Sequence, residues 1–376
     1  MEARRTRRKA ACAAGCRTRK SYLTPHSVIS MRALVLGGHG GLEQLSIRDD
    51  IPMPELEGPH SVRVRVEAVA LNRLDLFVLR GWPGLVLQPD WVPVADCTGV
   101  VDAVGGAVTG VRVGDTVVLN PGISCRECAY CLEDQQPLCL RYQIHGEHRR
   151  GSAAEFVVVP EWNLMSVPAH IPVAERAGFG LATLTAYRMV SGKARVQAGE
   201  QVLIWGIGGG VALAALQLAK ARGATTWVTS SDPAKLERAK ALGADHLLNH
   251  AIDDVPAVIR TATGKRGVDV VIDSVGTATW KRSLGSLGRG GRLVTCGGTS
   301  GPMVETDVRR LFMNQWTVCG STMGSEREWR KVAAEFAAGG LRPPVDSVFS
   351  LQQAPEAYAR LQSGQQFGKV VIQVAE

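Results

Sequence analysis

Two rhythms divide the chain. From Met31 to about Leu164, short apolar runs alternate with turns rich in glycine and proline. Residues 62–69, Val-Arg-Val-Arg-Val-Glu-Ala-Val, alternate apolar and polar side chains, the period of a strand with one buried face. Residues 100–104 and 116–119 continue this β-rich pattern. After about residue 200, apolar runs of four to six residues alternate with helical segments. The predicted strands are 202–205, 225–229, 246–248, 268–273, 292–296 and 316–319. Six strands with helical crossovers predict an α/β fold on a parallel sheet in the dinucleotide-binding arrangement. One crossover helix carries its own punctuation: Asp232 as N-cap, Pro233 at the first position and Gly243 past the end. Beyond Ser325, a helix (326–338), a strand (345–349), a helix (355–361) and a last strand (369–374) suggest a return to the first unit. The expected domains are therefore 31–164 with 322–376, and 165–321.

Charge changes this picture at one end only. The chain of 376 residues carries a net charge of +8. Residues 1–30 hold eight Lys or Arg and one acid, and the remaining 346 hold 35 basic and 34 acidic groups. The body is nearly neutral, so the basic total does not argue for a nucleic-acid partner. The first 30 residues lack hydrophobic periodicity and repel themselves, which predicts a disordered extension. It resembles an organelle transit peptide or a polybasic arm. The expectation is a passive extension, with Met31 as the natural start, on a cytoplasmic protein. No stretch of 18 apolar residues exists, so no membrane-spanning helix is expected.

The chemistry begins at a glycine loop. Strand 202–205 runs into Gly206-Ile-Gly208-Gly209-Gly210-Val211-Ala212, and a helix (213–221) follows. Glycines let the backbone approach a pyrophosphate, and the helix N-terminus offers N–H groups and a positive dipole. An acid at the end of the second strand would select NAD; here Ser230 and Ser231 stand in that region, with Lys235 and Arg238 able to pair with a 2′-phosphate. NADP(H) is the expected cofactor, with Asp232 as the residue that would still favour NAD. The second signal is Cys125-x2-Cys128-x2-Cys131-x7-Cys139. Four thiolates in one loop fit a closed, structural Zn²⁺ site. An iron–sulfur run would place the fourth cysteine after three residues and before a proline. A disulfide framework is disfavoured because no secretion signal is present.

Together these parts resemble the medium-chain dehydrogenase/reductase superfamily over about residues 31–376. The carriers include Ala95-Asp-Cys-Thr-Gly-Val-Val101, Gly114-Asp115, the cysteine loop, Leu184-Thr-Ala-Tyr187, the glycine loop, residues 268–276, Gly290-Gly-Arg-Leu-Val294 and Phe367-Gly-Lys369. The resemblance implies a Rossmann domain and a GroES-like domain bearing a four-cysteine zinc lobe. It assigns Thr185, Ser274, Gly276, Gly297 and Lys369 to the cofactor and makes a dimer or tetramer the expected assembly.

The alcohol dehydrogenases of the superfamily hold a second, catalytic zinc. Here Asn72, Ala95 and a site near Leu181 occupy its three ligand places, so one structural zinc per chain is expected. Asn72 in that place is similar to the zinc-free quinone and enoyl reductases, and the cysteine loop occurs in relatives that reduce activated C=C bonds. The expectation is an NADPH-dependent reductase of such bonds acting on a small molecule, with Asn72 and Arg73 stabilising the enolate oxygen. The rivals are an alcohol or aldehyde dehydrogenase with an irregular zinc site, and a non-catalytic NADPH-binding or redox-sensing protein. Asp75 and Asp96 are expected to pair locally; Cys97, Cys296 and Cys319 to be inert core thiols; His145 and His148 to be surface-loop residues. Gly81, Trp82 and Trp91 are expected in the substrate wall.

Overall fold

The computed structural model of the protein describes residues 29–375. The expectations for residues 1–28 lie outside the described residues. Ser30 already opens the strand Ser30–Leu36, and the Ile29 carbonyl accepts the Met53 N–H at 2.9 Å, so the fold begins before Met31. This strand pairs antiparallel with Leu45–Pro52.

The parallel sheet runs in the order His246–Asn249, Thr225–Ser230, Gln201–Ile204, Val268–Asp273, Leu287–Thr295, Thr317–Gly320. This is the doubly wound order whose switch point lies beside the first strand. All six expected strands form. Leu287–Thr295 starts well before its expected beginning: Leu287 pairs with Val268, and the register then shifts across the glycine-rich stretch before Arg292 pairs with Val270. The capped crossover helix spans Pro233–Ala241, with the Asp232 carboxylate accepting the Ala234 N–H at 2.8 Å.

A mixed sheet of seven strands forms the other half. Its order is Val345–Ser350, Lys369–Gln373, Ser61–Ala70, Asp96–Val104, Thr116–Leu119, Leu164–Ser166, with Phe156–Pro160 also paired to Ser61–Ala70. The chain does return: Val371 lies opposite Ala70. Two of the expected divisions cut through packed units. Residue 164 begins the strand Leu164–Ser166, which pairs with Thr116–Leu119. The helix Glu326–Ala337 buries Trp329, Val332, Ala333 and Phe336 in the same apolar cluster as Ile204 and Leu213 of the nucleotide half.

One element had no signal in the sequence. The helix Val173–Tyr187 joins the two halves, packing on the mixed sheet and on the helix Gly210–Ala221. It is buried on nearly every side, so no amphipathic stripe marks it. Phe179 stacks on Phe336 at 4.3 Å and meets Trp329 at 5.4 Å. A π-helical turn, Arg188–Lys193, extends it. Among the described residues no helix is long and apolar enough to cross a membrane.

Candidate active site

A cleft of about 740 Å³ opens between the two halves, along the C-terminal ends of the parallel strands. Gly206 follows the first of them with φ +70°, and Gly208 has φ +124°, both left-handed conformations that favour glycine. A Cβ on Gly210 would sit 3.0 Å from the Ala182 Cβ and 3.2 Å from Lys369 Cδ. The loop is thus a cradle that side chains would fill. Gly210, Val211 and Ala212 form the first turn of the helix Gly210–Ala221 and line the cleft. Their N–H groups precede the first helical carbonyl that could accept them, which suits a phosphate.

The residues expected at the cofactor line this cleft, except Gly276 and Arg238: Thr185, Gly206, Gly208, Gly209, Gly210, Val211, Ser230, Ser231, Lys235, Ser274, Gly297 and Lys369. Gly276 stands behind the wall, where a Cβ would meet the Gly301 carbonyl at 2.5 Å. Its turn is fixed by the buried Asp273 carboxylate, which accepts the N–H groups of Val275 (2.8 Å) and Gly276 (3.3 Å) and the hydroxyls of Thr279 and Ser283.

At the end of strand Thr225–Ser230, the Ser230 hydroxyl accepts the Asp232 N–H at 3.0 Å, while the Asp232 carboxylate is spent on its helix cap. Lys235 Nζ donates to the Gly364 carbonyl at 2.6 Å. Arg238 is turned away from the cleft, stacked 4.2 Å over the Phe367 ring. Arg73 comes to the same place as Lys235, since a Cβ on Gly364 would lie 3.5 Å from its Nη2.

Beside the glycine cradle a buried polar cluster gathers around Lys369. Lys369 Nζ donates to Asn72 Oδ1 at 2.6 Å and to Asp96 Oδ2 at 3.0 Å. Asn72 Nδ2 donates to Asp96 Oδ2 at 2.9 Å and to the Ala70 carbonyl at 3.3 Å. Asp96 Oδ1 accepts the Leu181 N–H at 2.6 Å. Asp75 caps the helix Arg73–Arg80 by accepting the Asn72 N–H at 2.6 Å, and burial raises its carboxyl to about 7. Ala95 and Leu181 offer no metal ligand, and the amide donors of Asn72 are already engaged. The cation at this point is an ammonium group of the chain itself.

The substrate end of the wall differs from expectation. Trp91 is 2% exposed and donates its indole N–H to the Gly146 carbonyl at 3.3 Å, away from the cleft. Gly81 and Trp82 are also absent from the lining, which is made instead by Phe77, Tyr142, Ile144, Leu181 and Met323. His145 is no surface residue: it is 1% exposed, its Nδ1 lies 3.0 Å from the Arg150 carbonyl, and burial pushes its ring down to about 4. His148 lines the cleft with Glu147. Cys296 lines it too, and its thiol is pushed up to about 12 by burial, as is that of Cys97. Nothing in the spacing of the loop after Cys139 distinguishes Glu147 and His148 from solvated residues; only the fold turns them inward.

The four cysteines meet as expected. Cys125, Cys128, Cys131 and Cys139 place their sulfurs within 4.8 Å of one another. Cys131 Sγ lies 3.8 Å from that of Cys125 and 3.5 Å from that of Cys128. Zn–S bonds of about 2.3 Å imply tetrahedral edges of about 3.8 Å, so the set fits Zn²⁺. Backbone N–H groups of Cys128 and Arg141 donate to Cys125 and Cys139 sulfurs, both at 3.4 Å. N–H groups around Glu127 pull the Cys125 thiol down to about 6, favouring the thiolate a metal needs. The lobe is docked by Asp134, whose carboxylate accepts the Ser325 hydroxyl and Arg327 Nε, each at 2.8 Å.

The alcohol dehydrogenase GroES-like domain family matches residues 58–169, and the zinc-binding dehydrogenase family matches residues 210–338. A zinc-type alcohol dehydrogenase-like protein of Schizosaccharomyces pombe is 31% identical over 92% of this chain and 100% of its own length. The quinone oxidoreductase of Homo sapiens is 27% identical over 91% of this chain and 97% of its own. A solved structure of an NAD-dependent alcohol dehydrogenase superposes with a TM-score of 0.88, at 42% identity, over 92% of this chain and 100% of that one. With the doubly wound sheet, the glycine cradle and the cysteine lobe, these matches show that the chain is an oxidoreductase of the medium-chain dehydrogenase/reductase superfamily.

Proposed function

We propose that the protein reduces an activated C=C bond (in an enone, enal, quinone or enoyl thioester) with NADPH, and that each chain holds one structural zinc in its cysteine lobe. The observation that carries this reading is the Lys369–Asn72–Asp96 cluster, which fills the place of a catalytic metal while Ala95 and Leu181 supply no ligand. Zinc in alcohol oxidation polarises the oxygen and lowers its pKa. A hydride acceptor that is already electron-poor needs only a positive, preorganised site for the oxygen on which charge develops. The Asn72–Lys369 end of the cleft suits that role, because the ammonium has a third N–H beyond those given to Asn72 and Asp96.

Bound NADPH supplies the hydride. Gly206, Gly208, Gly209, Gly210 and Val211 would receive its pyrophosphate, and Ser230, Ser231 and Lys235 its 2′-phosphate. Ser274, Gly297 and Thr185 would flank the nicotinamide half. Arg73, grouped with Lys235 near Gly364, is better suited to the phosphates than to the substrate oxygen. The expected assembly is a homo-oligomer formed through the outer edge of the parallel sheet. A screen of NADPH and NADH oxidation against enones, enals, quinones and enoyl thioesters tests the reading, run beside zinc per chain. NADPH-preferring turnover with one zinc is expected. Two zincs, with simple alcohols reducing NAD⁺ or NADP⁺ and no reduction of the panel, would favour an alcohol dehydrogenase instead.

A further inference from the structure

Reduction of a conjugated C=C bond needs a proton at the α-carbon as well as a hydride at the β-carbon, and the Asn72–Lys369 cluster addresses only the oxygen. From the geometry of the loop after the cysteine lobe, and resting on the function proposed above, we infer that Glu147 is the proton donor and that His148 positions it at the solvent edge of the cleft. The loop is pinned where the acid is needed. Gly146 has φ +79°, and a Cβ there would lie 2.9–3.1 Å from the backbone of Val94, the residue before Ala95. Trp91 holds the Gly146 carbonyl from the other side at 3.3 Å. Glu147 therefore follows a residue clamped against the segment that leads into Ala95 and Asp96, and it lines the cleft with Asn72 and Leu181.

The pair is built to hold one exchangeable proton. The Glu147 side chain is 15% exposed and that of His148 43% exposed, so one faces the cleft and the other reaches water. Ile144 donates its N–H to His148 Nδ1 at 3.2 Å. That bond makes Nδ1 the acceptor, so the neutral ring carries its proton on Nε2, which lies 3.8 Å from Glu147 Oε1. Burial raises the Glu147 carboxyl, opposed by His148 alone. Of the neighbouring cations, Arg149 is paired with Glu57 and Arg150 donates to the Pro89 carbonyl.

The step balances without another reagent. Hydride adds to the β-carbon, the C=C pair moves toward the carbonyl, and an enolate forms while NADPH becomes NADP⁺. The Glu147 O–H bond then breaks as the α-carbon C–H bond forms, giving the saturated carbonyl compound and a carboxylate. Water at the exposed edge of the cleft beside His148 then returns a proton to Glu147, and the His148 ring stays neutral with its Nε2–H directed at the carboxylate. General acids of this kind contribute about 100- to 10,000-fold. Quinones are a built-in comparison, because their reduced form is protonated on oxygen, which water does without a positioned acid.

The test is Glu147→Gln, with Glu147→Asp as the conservative variant, in the zinc-loaded full chain. NADPH binding, followed by its fluorescence, reports whether each variant has folded around the cofactor. Glu147→Gln should lower kcat for an α-substituted enone by about 100-fold, with an unchanged Kd for NADPH and a quinone rate reduced by at least tenfold less. In D2O its product should lose the single-face deuteration at the α-carbon that the wild type gives, and Glu147→Asp should restore part of the rate and the selectivity. Full enone turnover and intact selectivity in Glu147→Gln would overturn the assignment. So would equal losses for enone and quinone together with weakened NADPH binding, which would mark a structural role. A wild-type enzyme inert to enones and quinones would instead overturn the underlying function, an outcome visible before any variant is made.

Discussion

Lys369 is 3% exposed and, among the described residues, is the cation that pairs with Asp96, itself fully buried. Removing one partner of such a pair leaves an uncompensated charge, which costs about 3–5 kcal/mol. Lys369→Met should lower the urea midpoint accordingly, whereas Lys369→Met combined with Asp96→Asn should recover much of the loss. His145 has a different signature. Its folded pKa of about 4 lies below the ordinary value of 6.5, so the unfolded chain takes up a proton that the native ring refuses. Stability from this group is complete above pH 6.5 and is lost as pH falls toward 4, by about 2 kcal/mol at pH 5. Urea titrations at pH 7.5 and pH 5 check this, and a His145→Gln variant should show a shallower difference. Residue by residue, the sequence was most legible where chemistry depends on spacing: the cysteines, and the glycines at 206–210. It was least legible where a contact spans the chain. The bond from Lys369 to Asn72 joins residues nearly 300 positions apart, and no local pattern announces it.

At the scale of elements, the cysteine lobe and the cleft wall form one mechanical unit. Gly122–Ile123 pairs with Gln143–Ile144 at the base of the lobe, and Glu147 follows within three residues of that strand. Metal held in the lobe would thus set the position of the wall without touching substrate. Chelation of zinc, or Cys131→Ser, should abolish metal content, render residues 122–148 sensitive to protease and lower C=C reduction, while NADPH binding in the rest of the cleft is retained. Limited proteolysis with mass analysis would locate the cuts. Strands and capped helices were readable because alternation, Asp232-Pro233 and Ser325 act locally. The helix Val173–Tyr187 was not, because burial on all faces removes the period that marks a helix.

For the whole molecule, apolar side chains remain uncovered beside the outer strand Thr317–Gly320. Met303 is 81% exposed, Val308 66%, Phe312 62% and Met313 66%. An edge strand with apolar neighbours is a surface on which a second copy can continue the sheet. Sedimentation at micromolar concentration should give a dimer or larger assembly, and Phe312→Glu with Met313→Glu should shift it to monomer with the zinc content preserved.

The return of the chain to its first sheet also fixes an order of assembly. Synthesis delivers Asp96 long before Lys369, and Lys369–Gln373 is the last of the described strands to be made. Until it arrives, the parallel sheet can close over its own contiguous segment, but Ser61–Ala70 lacks one of its strand neighbours and Asp96 lacks its ammonium partner. The cation of the site is therefore a completion signal. Nascent chains stalled before residue 369 should contain an ordered nucleotide half and an open mixed sheet, so premature termination yields a cofactor-binding half with no finished cleft.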